Sequence, residues 1–385
     1  MSWRESKGIM EQRVEFVIKA VSGASISSLC REYSISRTTG YKWLNRYYDA
    51  GGINGIQEKS RRPKCSPFKT DDCIEERVIE LRQKHGWGAK KLRVLLGREG
   101  IELSVATINR ILDRNGLVEA DERHKPATKR FEKSSCNELW QMDFKGEWKV
   151  EEGFVFPLTI IDDHSRYSIG VFALPGTSMR PVQDRLVKTF CNYGLPEAML
   201  MDHGSPWWST TNGHGLTGLS VFMIKQGINL RYSGVRHPQT QGKVERFHRS
   251  LKESVNRGGR PQTMQESKKR LEKFRQEYNE VRPHESLDMN TPASCYHKSP
   301  RMYNPNPSEW EYPMGANVTR LNSQGMLPIG QNRYFVSEAL AGERVQFIEL
   351  EKKLLVKFRN VFVREICPET GRTTAVVLPV SGFLL

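Results

Sequence analysis

The hydrophobic period changes along the chain, and this change most limits the folds that the chain can adopt. Before residue 137, apolar residues recur at the spacing of amphipathic helices. From there to residue 232, short apolar runs alternate with turns and helical segments, which is typical of a mixed sheet covered by helices. After residue 316 only short alternating runs remain. We therefore predict a chain of several domains, all-α first, then α/β, then all-β.

The charge balance favours a polyanionic partner. The 385 residues include 59 Lys and Arg against 44 Asp and Glu, a net charge of +15, and the basic residues are spread in patches along the chain. No apolar run is long enough for a membrane span, and the first residues hold no apolar signal core. The seven cysteines are scattered without a paired motif, which indicates reduced thiols and no structural zinc site.

Residues 1–52 are predicted to form a helix-turn-helix DNA-binding domain. Ser36 follows a short turn and is a suitable cap for a helix over residues 37–48. Trp43 and Leu44 lie on the inner face of that helix. The opposite face suits base edges and phosphates in a major groove, and the alternative is a helical bundle with a solvated basic face. The candidate DNA-binding residues are Arg37, Thr38, Tyr41, Lys42 and Asn45.

A basic linker and a second helical module follow. Residues 53–69 are predicted to be either a solvated linker or an arm that follows a DNA backbone or enters a minor groove. Residues 70–118 repeat the helical pattern with a cap at Ser104, which predicts a second helix-turn-helix domain. Residues 119–136 are a polar, basic linker. The candidate DNA-binding residues are Arg61, Arg62 and Lys64 in the arm, and Thr107, Arg110 and Arg114 in the second module.

Residues 137–289 are predicted to form a mixed five-stranded sheet with helices on its faces and a trailing charged helix. The strands are expected at residues 139–148, 154–161, 167–172, 198–201 and 228–232, and the helices at 178–192, 219–226, from 241 onward and at 264–282. Residues 290–315 are proline-rich without a clear period, which predicts a linker. Residues 316–385 carry short alternating runs separated by turns, which predict a small all-β barrel.

Three acidic residues lie where these elements can bring them together. Asp143 lies in a strand, Asp202 ends another, and Glu245 lies in the first turns of a helix whose apolar stripe includes Val244 and Phe247. Three such carboxylates can converge on divalent metal ions. The alternative for Glu245 is a surface ion-pair ladder along its helix.

The order of motifs resembles the integrase catalytic core shared by retroviral integrases and bacterial insertion-sequence transposases. The motifs are Trp140–Asp143, Asp162–Arg166, Met201–Gly204, Gln239–His248 and Tyr278–Leu287. The last of these and the paired helix-turn-helix units are similar to the insertion-sequence branch, whereas retroviral integrases carry a His/Cys zinc module instead. The C-terminal barrel is matched by architecture alone.

The resemblance implies a ribonuclease-H-like core with Asp143, Asp202 and Glu245 as the catalytic acids that hold two Mg²⁺ or Mn²⁺ ions. It also implies that Lys252 contacts DNA, and we expect the same of Lys243 and Arg249 on that helix. The implied function is a DNA transposase that cleaves the ends of its insertion sequence to free 3′-hydroxyls and joins them to target DNA. The implied partners are the terminal inverted repeats, target DNA and at least a second copy of the chain. The implied location is the bacterial cytoplasm, at the nucleoid.

The distance between the second and third acids departs from the family pattern. Asp202 and Glu245 are 43 positions apart, longer than usual, and we place the surplus in residues 203–218 because loops tolerate insertion. Asp162 and Asp163 are the spare acids, although a hairpin turn explains them better.

Two other functions remain open at this point. One is a helix-turn-helix regulator with an inactive integrase-like core, which would not need an intact acidic triad. The other is a nuclease that cuts without joining, for which a pair of site-recognition modules would be superfluous.

Overall fold

The computed structural model describes residues 8–58, 70–118, 132–209, 215–233 and 242–376. The chain forms two compact units, residues 1–71 and residues 72–385. Among the described residues, no helix combines the length and the apolar character needed to cross a membrane.

The first unit is a three-helix arrangement followed by a short 3-10 turn at Ile53–Ile56. Its helices are α1 (Ile9–Val21), α2 (Ile26–Glu32) and α3 (Arg37–Asp49). α3 begins where the sequence predicts, because the Ser36 hydroxyl accepts a hydrogen bond from the Thr39 amide at 3.2 Å. At Gly40, an added Cβ would lie 2.7 Å from Cys30 Sγ, so only glycine lets α3 pack this closely on α2.

The second unit begins with another three-helix module. Its helices are α4 (Asp72–His85), α5 (Ala89–Arg98) and α6 (Val105–Arg114). The Ser104 hydroxyl caps α6 by accepting the Thr107 amide at 3.0 Å, as predicted. Leu92, Leu96 and Ile108 are fully buried between the helices.

A six-stranded mixed sheet forms the centre of the second unit. The strands of residues 139–232 are β1 (Leu139–Phe144), β2 (Trp148–Val150), β3 (Gly153–Asp162), β4 (Ser168–Leu174), β5 (Ala198–Met201), β6 (Trp208–Ser209), β7 (Gly215–Leu216) and β8 (Asn229–Tyr232). The main sheet has the order β4–β3–β1–β5–β8, with β2 paired to the start of β3. β1, β5 and β8 are mutually parallel, whereas β6 and β7 form a separate hairpin.

The five-strand prediction is wrong in one respect, because residues 139–148 form two strands. Gly146 adopts φ 73°, a left-handed conformation that ends β1. The chain resumes as β2, where the Trp148 indole donates to Ser267 Oγ at 3.2 Å. The sheet therefore gains a short sixth strand.

Helices cover both faces of this sheet. They are α7 (Met179–Tyr193), α8 (Gly218–Lys225), α9 (Gly242–Asn256), α10 (Met264–Gln276), which continues into a π-helical turn at Glu277–Val281, and α11 (Pro292–Cys295). α7 and α8 bury their apolar sides against Met142 and Leu158 on one face. α9 and α10 pack on Val155 and Val171 on the other face. The predicted stripe of α9 is confirmed, since Val244 and Phe247 are each only 1% exposed.

Part of the segment predicted as a linker, residues 290–315, is held against the sheet domain. The Tyr296 ring stacks on Tyr167 with centroids 4.3 Å apart. The Ser299 amide donates to the Tyr193 carbonyl at 2.9 Å, and the Leu195 amide donates to the Arg301 carbonyl at 2.8 Å. The backbone of this segment is irregular and leaves no periodic pattern in the sequence, so these contacts are not predicted from it.

The C-terminal strands form an open antiparallel sheet. They are β9 (Val318–Arg320), β10 (Met326–Ile329), β11 (Asn332–Phe335), β12 (Arg344–Glu349), β13 (Leu354–Phe358), β14 (Val361–Cys367) and β15 (Arg372–Ala375). The sheet order is β15–β14–β13–β12–β9, and β10 and β11 form a hairpin of their own. Within residues 316–376 the edge strands β9 and β15 do not pair, so the predicted closure into a barrel is not found. The sequence does not predict β10, because this strand contains Pro328 and proline is unfavourable inside a sheet.

Candidate active site

Asp143 and Asp202 lie at the same level on neighbouring parallel strands. Gln141 of β1 is paired with Leu200 of β5, so the residues two positions further along the chain, Asp143 and Asp202, are brought side by side. Side chains alternate along a strand, and Met142 is buried against α7 and α8. Asp143 therefore faces the opposite side, which α9 covers.

Glu245 reaches this side of the sheet from the first turn of α9. The neighbouring Val244 and Phe247 are buried and fix the helix on the sheet, whereas the Glu245 side chain is exposed. The exposed carboxylate can face solvent and the two strand acids at once.

The charges of the other two acids both act on Asp143. Burial, together with the negative charges of Asp202 and Glu245, raises the pKa of Asp143 to about 7, while the Phe144 amide and Lys145 oppose the shift. Within the described residues, no three acidic, histidine or cysteine side chains stand close enough together to hold a metal ion. The donor set is nevertheless three carboxylates, whose oxygens suit Mg²⁺ or Mn²⁺.

A tryptophan that the sequence analysis missed holds Asp202 in place. The Trp207 indole donates to Asp202 Oδ1 at 2.7 Å, and the Gly204 amide donates to the same oxygen at 2.9 Å. The Trp207 ring is 1% exposed and stacks on Phe144, the neighbour of Asp143, at 5.5 Å. Both bonds fall on Oδ1, so in the described part of the chain Oδ2 is left for a ligand.

A histidine lies beside Asp143, three residues after Glu245. His248 Nδ1 is 3.8 Å from Asp143 Oδ2, and Nε2 is 2.8 Å from the Thr159 hydroxyl. That hydroxyl donates its proton to the Asp143 carbonyl at 2.9 Å, so Nε2 of His248 must be the donor to Thr159. Burial lowers the pKa of His248 to about 3. The imidazole is therefore neutral at pH 7 and presents a lone pair, not a cation, to Asp143.

Asp162 and Asp163 are part of a buried turn. The Asp162 carboxylate accepts from the Asn137 amide at 2.7 Å and from the Ser165 amide at 2.8 Å. Asp163 accepts from the Gln141 side chain at 2.6 Å and is 2.6 Å from Lys243 Nζ. The turn interpretation thus has a structural basis. Lys243, a predicted DNA contact, is directed toward Asp163 instead, and burial lowers its pKa to about 8.

The predicted outer face of α3 is exposed, whereas Trp43 and Leu44 are buried. The exposed residues are Arg37, Thr38, Tyr41, Lys42 and Asn45. Arg61, Arg62 and Lys64 lie outside the described residues.

The candidate contacts of the second unit differ in their surroundings. Arg110 is exposed on α6, as are Arg249 and Lys252 on α9. The Thr107 hydroxyl is 2.9 Å from the Ser104 hydroxyl, and Arg114 forms an ion pair with Glu75 of α4. Thr107 and Arg114 therefore also stabilise their own module.

Comparison with protein families identifies the domains that carry these residues. Residues 133–238 and residues 226–292 each match an integrase core domain. Residues 12–64 match a helix-turn-helix domain, and residues 39–112 match a homeodomain-like domain. The chain therefore contains an integrase core preceded by helix-turn-helix domains.

Two of the proteins to which the chain is similar come from mobile elements. It is 23% identical to the uncharacterized 31.7 kDa protein of insertion element IS407 from Burkholderia multivorans, over 62% of this chain and 86% of that protein. It is 24% identical to the transposase for transposon Tn552 of Staphylococcus aureus, over 60% of this chain and 52% of that protein. The integrase catalytic core domain of HTLV-2, solved in complex with magnesium, is 15% identical, with a TM-score of 0.33 over 43% of this chain and 99% of that domain.

Proposed function

We propose that this protein is a transposase that cleaves the ends of its insertion sequence and joins the freed 3′-hydroxyls to target DNA. The observation that supports this most is the placement of Asp143 and Asp202 side by side on β1 and β5, where the charges of Asp202 and Glu245 both raise the pKa of Asp143. Such an accumulation of negative charge at one edge of a sheet favours bound divalent cations.

Asp143, Asp202 and Glu245 are the residues that would hold these ions, which we propose are two Mg²⁺ or Mn²⁺. When bound, the ions would activate the attacking oxygen and stabilise the leaving oxygen of the phosphodiester. Trp207 fixes one oxygen of Asp202. His248 is neutral, so it does not compete with metal ions for the carboxylate of Asp143. Because cleavage and joining differ only in the nucleophile, water in the first step and the freed 3′-hydroxyl in the second, one set of acids would serve both steps.

The two helical modules would select the DNA. Exposed Lys42 and Asn45 on α3 and Arg110 on α6 are suited to base edges and phosphates of the terminal inverted repeats. Two ends must be joined to one target, so the active form is proposed to contain at least two copies of the chain. Arg249 and Lys252 would contact the DNA near the cleaved bond.

The proposal is tested by incubating the full-length protein with labelled element-end DNA, a target plasmid and Mg²⁺. We expect a nick at the 3′ end of the element and joined products that disappear when EDTA is added. Specific binding without any cleavage would favour the regulator with an inactive core. Cleavage without joined products would favour a nuclease.

Trp207→Phe is expected to lower end cleavage about tenfold or more while the protein stays folded. The phenyl ring keeps the stacking on Phe144 but loses the 2.7 Å hydrogen bond to Asp202. A hydrogen bond to a charged group contributes about 1.5–3 kcal/mol. Cleavage rates measured across Mg²⁺ concentrations should show a higher metal requirement. Trp208→Phe is the matched control, and an equal loss in both variants would contradict a role for the indole N–H.

Lys42→Gln is expected to reduce the preference of the full-length protein for element-end DNA over a scrambled duplex. Lys42 lies on the exposed face of α3, and a good base contact contributes about 1–3 kcal/mol of discrimination. Competition binding assays at one fixed salt concentration measure this preference. Lys19→Gln on α1 of the same unit removes the same charge and should leave the preference unchanged. An unchanged preference in Lys42→Gln would remove α3 from base recognition.

A further inference from the structure

A basic pocket of about 280 Å³ lies beside α9, on a different side of the helix from the acids. It is bounded by α5, by α9 and by the segment that follows the π-helical turn. Its charged lining consists of five basic residues and one acid, namely Lys91, Arg166, Lys243, Arg246, Arg282 and Glu285. Lys243 pairs with Asp163 at 2.6 Å and Arg166 with Glu132 at 2.9 Å, so the excess of positive charge comes from Lys91, Arg246 and Arg282.

The fold builds this pocket from parts distant in sequence. Lys243, Arg246 and Ser250 recur at three and four positions, so they share one face of α9, whereas Glu245 and His248 lie on another face. The π-helical turn at Glu277–Val281 ends at Arg282 and brings that residue to the pocket. Lys91 comes from the second helical module.

The positive charges in the pocket are not fully compensated. Burial and the nearby Arg282 lower the pKa of Lys91 to about 8. Burial and three cations, Arg282 first, lower the pKa of His284 to about 3. Among the described residues, Arg282 Nε and His284 Nε2 are buried without a hydrogen-bond partner. The single lining acid, Glu285, is also held by Lys90 on the surface at 3.0 Å. The Arg282 Nε–H is a buried donor without a partner, which is costly, and an anion would satisfy it.

We propose that this pocket binds one phosphate group of the DNA backbone next to the cleaved end. This inference rests on the proposed function. The ligand class follows from the lining, because guanidinium and ammonium groups arranged around a small polar volume suit the tetrahedral oxygens of a phosphate. Arg246 is adjacent in sequence to Glu245, so the bound phosphate would lie about one helix diameter, ~10 Å, from the acids. Lys91 would tie that same phosphate to the second recognition module.

The test uses the full-length double variant Lys91→Gln/Arg246→Gln. Neither side chain is fully buried, so the fold should tolerate both changes. The matched control is Lys268→Gln/Lys269→Gln, which removes the same charge from the exposed surface of α10. Binding to an element-end duplex is measured in EDTA at several salt concentrations. Each lost phosphate contact should reduce the slope of log affinity against log salt by about 0.9, in the pocket variant alone.

A scan of single methylphosphonate substitutions then locates the phosphate. We expect one backbone position, or two adjacent ones, where the neutral group weakens wild-type binding about tenfold but does not affect the pocket variant. Inorganic phosphate is the second probe. A rise in the Tm of the wild type alone with inorganic phosphate, and no coupled backbone position, would overturn the DNA assignment in favour of a free anion.

The two proposals fail in different ways. The pocket inference is overturned, and the proposed function stands, if the wild type binds and cleaves element ends but the pocket variant behaves like its control. The comparison is made on the slope of log affinity against log salt and on the methylphosphonate scan. If the wild type neither prefers nor cleaves element ends, both are overturned. If the Glu245→Gln protein shows the same coupled backbone position as the wild type, phosphate binding is independent of catalysis, as we expect.

Discussion

Glu245→Gln should abolish end cleavage and strand transfer together and leave DNA binding intact. The amide preserves the size of the side chain and the packing of Val244 and Phe247, which fix α9 on the sheet. It removes one of the charges that surround Asp143. We expect losses on the order of a hundredfold or more in both steps, equivalent to about 2.7 kcal/mol of barrier.

Pre-cut DNA ends separate this effect from a defect confined to the first step. Joining of pre-cut ends by Glu245→Gln should be as impaired as cleavage, because both steps use the same acids. Glu253→Gln on the same helix is the control, since Glu253 is exposed and has no part in the raised pKa of Asp143. Near-normal joining of pre-cut ends by Glu245→Gln would remove Glu245 from the site and reopen the assignment of Asp202.

Asp143→Asn should stabilise the metal-free protein above pH 7 while it abolishes activity. The folded chain holds the Asp143 proton up to a pKa of about 7, whereas the ordinary value is 3.8. Native Asp143 therefore binds more protons than unfolded Asp143 between these two values, and the stability of the wild type falls as the pH rises through that window. Full ionisation costs about 4 kcal/mol, since each pKa unit corresponds to about 1.4 kcal/mol.

Urea unfolding of the second unit at pH 5 and pH 8, in EDTA and in Mg²⁺, measures this effect. In EDTA the advantage of Asp143→Asn over the wild type should grow between the two pH values. In Mg²⁺ at pH 8 the wild type should regain stability and the variant should not, because binding to the native state alone is stabilising. Asp184→Asn on the exposed face of α7 is the control. If the stability gained by Asp143→Asn does not depend on pH, the pKa of Asp143 is not raised in the folded chain.

Local order along the chain was largely determined by the sequence. The caps at Ser36 and Ser104 fix where α3 and α6 begin, because each hydroxyl bonds to an amide three residues later. The apolar stripe of α9 determines which side of that helix is buried, and hence that Glu245 is not. These features depend on neighbours within one or two turns, so the periodicity and the residue types contain them.

Only the tertiary structure decided what surrounds each acid. Trp207 lies in a loop residue range for which the sequence predicts no role, yet its indole donates a hydrogen bond to Asp202. His248 forms a hydrogen bond with Thr159, which is 89 positions away in the sequence. The open C-terminal sheet also depends on packing between segments that are distant in sequence. The same is true of the ion pair that directs Lys243 toward Asp163. Contacts between segments so far apart leave no periodic trace in the sequence, because they are set by how the strands and helices are arranged in space.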